Sequence, residues 1–103
     1  MNKIMSAFRY NFEWDPAKAS SNRDKHGISF DEAATVFRDA RMISIFDRHH
    51  SQAEDRWISL GLSELVRPLV VCHTFREIDE ETSVIRIFSA RKASKTEVRQ
   101  YEE

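Results

Sequence analysis

Residues 83–95 read SVIRIFSARKASK. Val84, Ile85, Ile87 and Phe88 have the β-branched and aromatic character of a buried strand. In a regular strand Ile85, Ile87, Ser89 and Arg91 share one face, and Arg86, Phe88 and Ala90 share the other. The isoleucine side is the natural core side, so Arg86 is expected to project from the opposite, uncovered face. An isolated buried arginine is very costly. Arg86 therefore needs either a carboxylate partner, with Asp47, Glu54 and Glu13 as candidates, or an opening onto a cleft. Arg91, Lys92 and Lys95 follow at once, while Ser94 with Glu97 three residues on is the signature of a capping box. The stretch predicts a core strand with cations on and just after it, running into a final helix, SKTEVRQYEE.

Working outward, FRYNFEW (8–14) alternates aromatic and polar residues, as a half-exposed strand does. Asp15 is a helix N-cap, Pro16 takes the first helical position and Gly27 lies past the end. That helix, PAKASSNRDKH, has no large apolar residue. Its Lys18, Asn22, Lys25 and His26 fall at i, i+4, i+7 and i+8 on one face, which is either a solvated face or a polar face lining a site. In SFDEAATVFRD (29–39) Ser29 and Glu32 suggest a second capping box, and Phe30, Ala33, Ala34 and Phe37 form a helical core stripe. Full burial of either phenylalanine contributes roughly 1.5–3 kcal/mol. The remaining strands are read at 41–47, 56–63, 67–76 (entered through Pro68) and 82–91, with 47–55 a polar connection. The order β-α-α-β-β-β-β-α predicts an α+β domain in which helices flank a mainly antiparallel sheet.

At 103 residues, 41% hydrophobic and 32% charged, the chain fits one globular domain over 1–103, with residues 1–7 expected to be a flexible tail. No apolar run approaches a membrane span and no leader is read at the start, so a cytoplasmic location is the default expectation. The lone Cys72, inside the apolar run LVVCHTF, excludes an intrachain disulfide framework and reads as an inert core thiol. Gly27 and Gly61 are the only glycines, which excludes a glycine-rich phosphate loop. A net charge of −1 argues against broad nucleic-acid binding by the whole surface. The charge is uneven, however. Residues 86–99 hold five bases against one acid, while EIDEE (77–81) holds four acids.

No nucleophile-elbow motif and no His-Glu-x-x-His or Cys-x-x-Cys is present. A loop metal site at His49, His50 and Glu54 is a weak alternative. Cations on a sheet face suit phosphate binding and stabilisation of a phosphoryl-transfer transition state, and arginine grips phosphate in a bidentate way. His73 or His26 could move protons near neutral pH. Such a set serves a metal-independent ribonuclease with no cofactor, in which the RNA 2′-hydroxyl attacks its own phosphate.

FEWDPAKASSNRDKHGISFDEAATVF, DRHHSQAEDRWISLGLS, VVCHTF and IRIFSARKASKTEVRQYEE together resemble the BrnT family, over about residues 12–103. These are the toxins of type II BrnT–BrnA toxin–antitoxin pairs. The resemblance implies a compact RelE-like microbial ribonuclease fold and an endoribonuclease that halts growth by blocking translation. It also implies a BrnA antitoxin, a DNA-binding protein that neutralises the toxin, in a heteromer of two toxin and two antitoxin chains; DNA is met only through that complex. Family motifs match Lys25, His26 and Gly27 (KHG), Asp55 and Arg56 (DR), His73 and Thr74 (HT), and Arg86 and Arg91 (IRIISAR, with Phe88 in place of an isoleucine). The acidic loop FREIDEETS is a second departure, because acids near an RNA site would repel phosphate unless they point away.

The expected catalytic set is Arg86, Arg56, His73 and Arg91. Arg86 and Arg56 are phosphate ligands and His73 a candidate proton shuttle or a satisfied core histidine. Arg86 and Arg91 leave a regular strand from opposite faces and serve one phosphate only if a bend intervenes near Ser89. Lys92, Lys95, Lys25, His26 and Tyr101 are candidate RNA contacts. The rival class is a non-catalytic module whose cations dock an acidic partner. A nuclease should show a His or Tyr beside an arginine pair, and a binding module an exposed apolar groove.

Overall fold

The computed structural model describes residues 9–103; the expected tail at 1–7 lies outside the described residues. Strand β1 (Arg9–Glu13) leads into helix α1 (Pro16–His26) and helix α2 (Phe30–Thr35), which ends in a 3-10 turn at Val36–Arg38. Then come β2 (Ile43–Phe46), a 3-10 turn at Arg48–His50, β3 (Arg56–Leu62), β4 (Pro68–Thr74), the two-residue β5 (Arg76–Glu77), β6 (Thr82–Lys92) and α3 (Lys95–Glu102). The strands form one sheet in the order β1-β6-β4-β3-β2, with β5 also paired to β6. Every pairing is antiparallel except β1 with β6. The architecture is the expected α+β class.

Local chemistry accounts for the helix ends. The Asp15 carboxylate accepts from the Ala17 N–H, Pro16 opens α1, and Gly27 closes it at φ 70°, a left-handed conformation that glycine adopts without a Cβ penalty. Ser29 caps α2 through the Glu32 N–H, but the box is half made. The Glu32 side chain turns away to accept from Ser63 and Arg67, because it is buried where it faces them. Those hydrogen bonds, Arg67 first, hold the Glu32 carboxyl below its ordinary pKa. The Ser94–Glu97 capping box of α3 is complete.

One sheet face packs on α1 and α2. Leu69, Val71, Ile85, Ile87 and Ala90 meet Ile28, Phe30, Ala33, Val36 and Phe37 there. On the other face α3 covers one end, where Tyr101 packs on Leu60 and Val70. The Tyr101 hydroxyl donates to Asp39 Oδ2, which also takes the Leu62 N–H at 2.8 Å and so ties α3 to β3. The other end of that face, toward Arg56 and Thr74, is left open.

Helix α1 has one buried residue, and it is Asn22. β1 pairs with β6 only as far as Glu13↔Arg86, so the β6 edge beyond would have unmatched backbone groups. Asn22 matches them. Its Nδ2 donates to Ala90 O at 2.8 Å and to Ile28 O at 3.0 Å, and its Oδ1 accepts from Ala90 N at 3.1 Å. The polar face of α1 is therefore a docking face where Asn22 sits, and not a wholly solvated one.

The alternation expected along β6 does not persist. His73 pairs with Ile87 and Cys72 with Ser89, so Phe88 is an extra residue, a β-bulge. The slip reverses the phase. Ser83, Ile85 and Ile87 are buried before it and Ala90 after it, while Arg86 and Arg91 are both exposed. Arg91 pairs with Val70, on the α3 face, and thus lies on the same face as Arg86.

Candidate functional site

The bulge turns Phe88 out of the strand's regular alternation. The Arg56 guanidinium lies over its ring, 4.1 Å from the centroid; Lys18 Nζ is at 5.2 Å and the Arg86 guanidinium at 5.8 Å. Three cations from three elements thus gather round one aromatic ring, an arrangement that the ring quadrupole favours. Each has a clear positioner. Asn22 docks α1 and so delivers Lys18 one turn earlier. Arg56 opens β3 opposite Thr74, and Arg86 donates its backbone N–H to the Thr74 hydroxyl at 3.3 Å.

Arg86 is exposed and forms no ion pair among the described residues. Of its three expected carboxylate partners, Glu13 and Glu54 border the same cavity of about 260 Å³, together with Asp55, Thr74, Phe75 and Arg76. Glu54 is 3.6 Å from the Arg56 guanidinium. The site thus sets the Arg86 guanidinium, which no carboxylate engages among the described residues, beside the Glu13, Glu54 and Asp55 carboxylates. Neither a His nor a Tyr lines this cavity, so the expectation of a His or Tyr beside the arginine pair is not met, and Glu13, Glu54 and Asp55 are the acid–base side chains at hand. Three of the four acids of the 77–81 loop sit elsewhere: Asp79, Glu80 and Glu81 border a different hollow, with Arg9.

The structure separates several of the expected residues from this cluster. His73 is 3% exposed on the opposite, core-side face, edge-on to Phe37. Its Nδ1–H donates to Thr74 O at 2.8 Å, its Nε2 takes the Ser59 hydroxyl at 2.6 Å, and burial pushes its pKa down. It is a satisfied, neutral core histidine. Arg91 shares the Arg86 face but is engaged by Glu97, with Nη1–Oε1 2.8 Å and Nη2–Oε2 2.9 Å. That fork holds the Glu97 carboxyl down to about 2 and raises Arg91. Tyr101 is buried on Asp39. Lys92 lies in the field of Glu32, and Lys95 is exposed at the start of α3. Lys25 borders a shallow hollow on α1 with Ser21 and Asp24, and His26 is exposed in the last turn. Cys72 is half-buried on the Arg86 face, paired with Ser89, and not deep in the core.

His50 Nδ1 lies 2.9 Å from Asp47 Oδ2, and no group of three or more His, Cys, Asp or Glu able to hold a metal occurs among the described residues. The sequence places Phe88 beside Arg86, on the face away from the isoleucines, and carries no sign of its part as the ring on which the cations gather. The only trace of the bulge in the sequence is the phase slip between Ile85, Ile87 and Ala90.

Comparison with known proteins agrees with this architecture. The family model described as ribonuclease toxin, BrnT, of type II toxin–antitoxin system matches residues 14–97. A crystal structure of the Brucella abortus ribonuclease toxin, BrnT, superposes with a TM-score of 0.58 at 21% identity, covering 84% of this chain and 100% of that one. No curated protein matches the chain. The fold is thus shared with a BrnT structure, and the family match spans most of the sequence. The chain belongs to the BrnT family of ribonuclease toxins of type II toxin–antitoxin systems.

Proposed function

We propose that this chain is a metal-independent endoribonuclease whose active centre is the Arg56–Arg86–Lys18 cluster on Phe88. The RNA 2′-hydroxyl attacks the adjacent phosphorus, the bond to the 5′-oxygen of the next nucleotide breaks as that oxygen takes a proton from water, and a 2′,3′-cyclic phosphate and a free 5′-hydroxyl result. Arg86 binds the non-bridging oxygens and offsets the charge that grows on them, with Arg56 as second ligand and Lys18 on the flanking phosphate. A carboxylate of the same cavity, Glu54 or Asp55, takes the 2′-hydroxyl proton in place of His73. Lys95 and Lys92 touch RNA further out. Arg91 keeps α3 in place through Glu97 and meets substrate only if that pair opens.

The observation that carries this reading is the convergence of three cations from three elements on the one Phe88 ring, with Arg86 lacking any ion-pair partner among the described residues. Membership of the family implies RNA as substrate and an antitoxin protein as partner. In the fuller reading the fold is RelE-like, the cut RNA stops translation in the cytoplasm, and a BrnA-type antitoxin neutralises the toxin in a two-plus-two heteromer. The test is expression of wild type and Arg86→Ala without any antitoxin, following growth and RNA integrity. Wild type should stop growth with cut RNA and Arg86→Ala should not, at equal soluble levels. Undisturbed growth and intact RNA with wild type would leave the cations to an acidic protein partner.

A further inference from the structure

A second cavity meets the first at the edge of the sheet. β3 reaches its end at Arg56, opposite Thr74, yet the chain of β4 continues through Phe75 into β5. Past Thr74 that chain no longer pairs with β3, so Phe75 stands at an open edge, 40% exposed. Phe75 borders the Arg86 cavity on one side. On the other it closes a cavity of about 280 Å³ whose walls include Tyr10, Phe37 and Trp57 and which has His73 and Ser44 at one end. Tyr10 meets Phe75 edge-on at 6.4 Å.

The polar end of this cavity has a defined sense. His73 Nδ1 faces a carbonyl oxygen, which only accepts, so Nδ1 carries the proton. Nε2 must then accept the Ser59 hydroxyl, and the Ser59 oxygen in turn takes the Ser44 hydroxyl at 2.7 Å. Ser44 is left with lone pairs only. The cavity offers aromatic walls and, at this end, the Ser44 acceptor, which suits a flat ring bearing an amino or N–H edge. A single-stranded nucleic acid presents such rings one sugar away from each phosphate, and unstacked bases are read by aromatic side chains in this way.

We propose that the Tyr10–Trp57–Phe75 cavity takes an unstacked nucleobase of the RNA whose phosphate lies on Arg86. This subsite would rank sequences at the cut. The proposal rests on the ribonuclease reading of the Arg86 face. The two are separable, because phosphate contacts weaken all sequences alike while a base pocket acts at one position.

The experiment uses uncleavable 2′-O-methyl oligoribonucleotides with a single abasic site placed at each position in turn. With wild type, one position should lose about tenfold in affinity when abasic. Phe75→Ala should bind the intact oligonucleotide that much more weakly and be indifferent to the abasic site. Ser44→Ala, at an exposed residue, should narrow the preference for amino-bearing bases and keeps the test open if Phe75→Ala does not fold. Arg86→Ala should weaken every oligonucleotide. A flat abasic series in wild type, with Arg86→Ala still weakened, overturns the pocket but not the nuclease. Wild type that neither binds nor cuts RNA overturns both, and leaves the cavity to an apolar protein segment.

Discussion

Asn22→Ala removes the three hydrogen bonds that tie α1 to the body of the fold. The Ala90 N–H, the Ala90 carbonyl and the Ile28 carbonyl all lose their partner in a place where Asn22 is only 6% exposed. At about 1 kcal/mol net per bond the loss is about 3 kcal/mol, with more if a backbone group stays dry and unmatched. For a domain of this size that lowers Tm by roughly 12 °C or more. Urea denaturation followed by circular dichroism gives the difference directly, with Ser21→Ala, on the exposed side of α1, as a control expected within about 0.5 kcal/mol of wild type. Hydrogen exchange at the Ala90 amide should rise in the same variant. A loss under about 1 kcal/mol with unchanged denaturant slope would refute the idea that an amide side chain stands in for the missing edge strand. Because the same docking places Lys18 at Phe88, the variant should also bind RNA less tightly under conditions where it remains folded.

Three further outcomes follow from particular contacts. The Glu97 carboxyl is depressed from its ordinary value of about 4.5 to about 2 by Arg91, so its contribution to stability is full above pH 4.5 and is lost as pH falls from there through 2. Glu97→Gln should be less stable than wild type at pH 7 and converge with it in acid, read from unfolding free energies at a series of pH values. A Cβ on Gly61 would sit 3.0 Å from Val36 Cγ1 and 3.2 Å from Asp39 Oδ2, so Gly61→Ala should cost about 1–3 kcal/mol by denaturant titration and loosen the Tyr101 anchor. Val66 has φ 59° at the exposed β3–β4 turn, a strained value for a β-branched residue; Val66→Gly should raise Tm, with a gain of about 1 kcal/mol.

The elements legible in the sequence were those whose signals are local. Asp15, Pro16 and Gly27 bound α1, the Ser94–Glu97 box opens α3, and the apolar alternation located the strands to within a few residues. Arg86 was legible as an outward cation because Ile85 and Ile87 on either side of it are buried. Features that depend on which strands pair could not be read in this way. The bulge at Phe88 exists only relative to β4, and it alone decides that Arg86 and Arg91 share a face. The parallel pairing of β1 with β6, and hence the exposed edge that Asn22 fills, comes from long-range topology. His73 sits in an apolar run, which fits both a core residue and a proton shuttle; only the register opposite Ile87 places it on the core side. The Ser29–Glu32 spacing predicted a full capping box, but a distant Arg67 outcompetes the Ser29 backbone for the carboxylate.

The most direct test of the nuclease reading is cleavage of an unstructured RNA by purified protein in EDTA, with the product ends identified. Wild type should leave 2′,3′-cyclic phosphate and 5′-hydroxyl ends. Arg86→Ala should cut about 10²–10³-fold more slowly at an unchanged Tm, and His73→Ala, corrected for any unfolding, should cut through the same chemistry. Cleavage by Arg86→Ala at the wild-type rate, or cleavage only when a divalent metal is restored, would contradict the account.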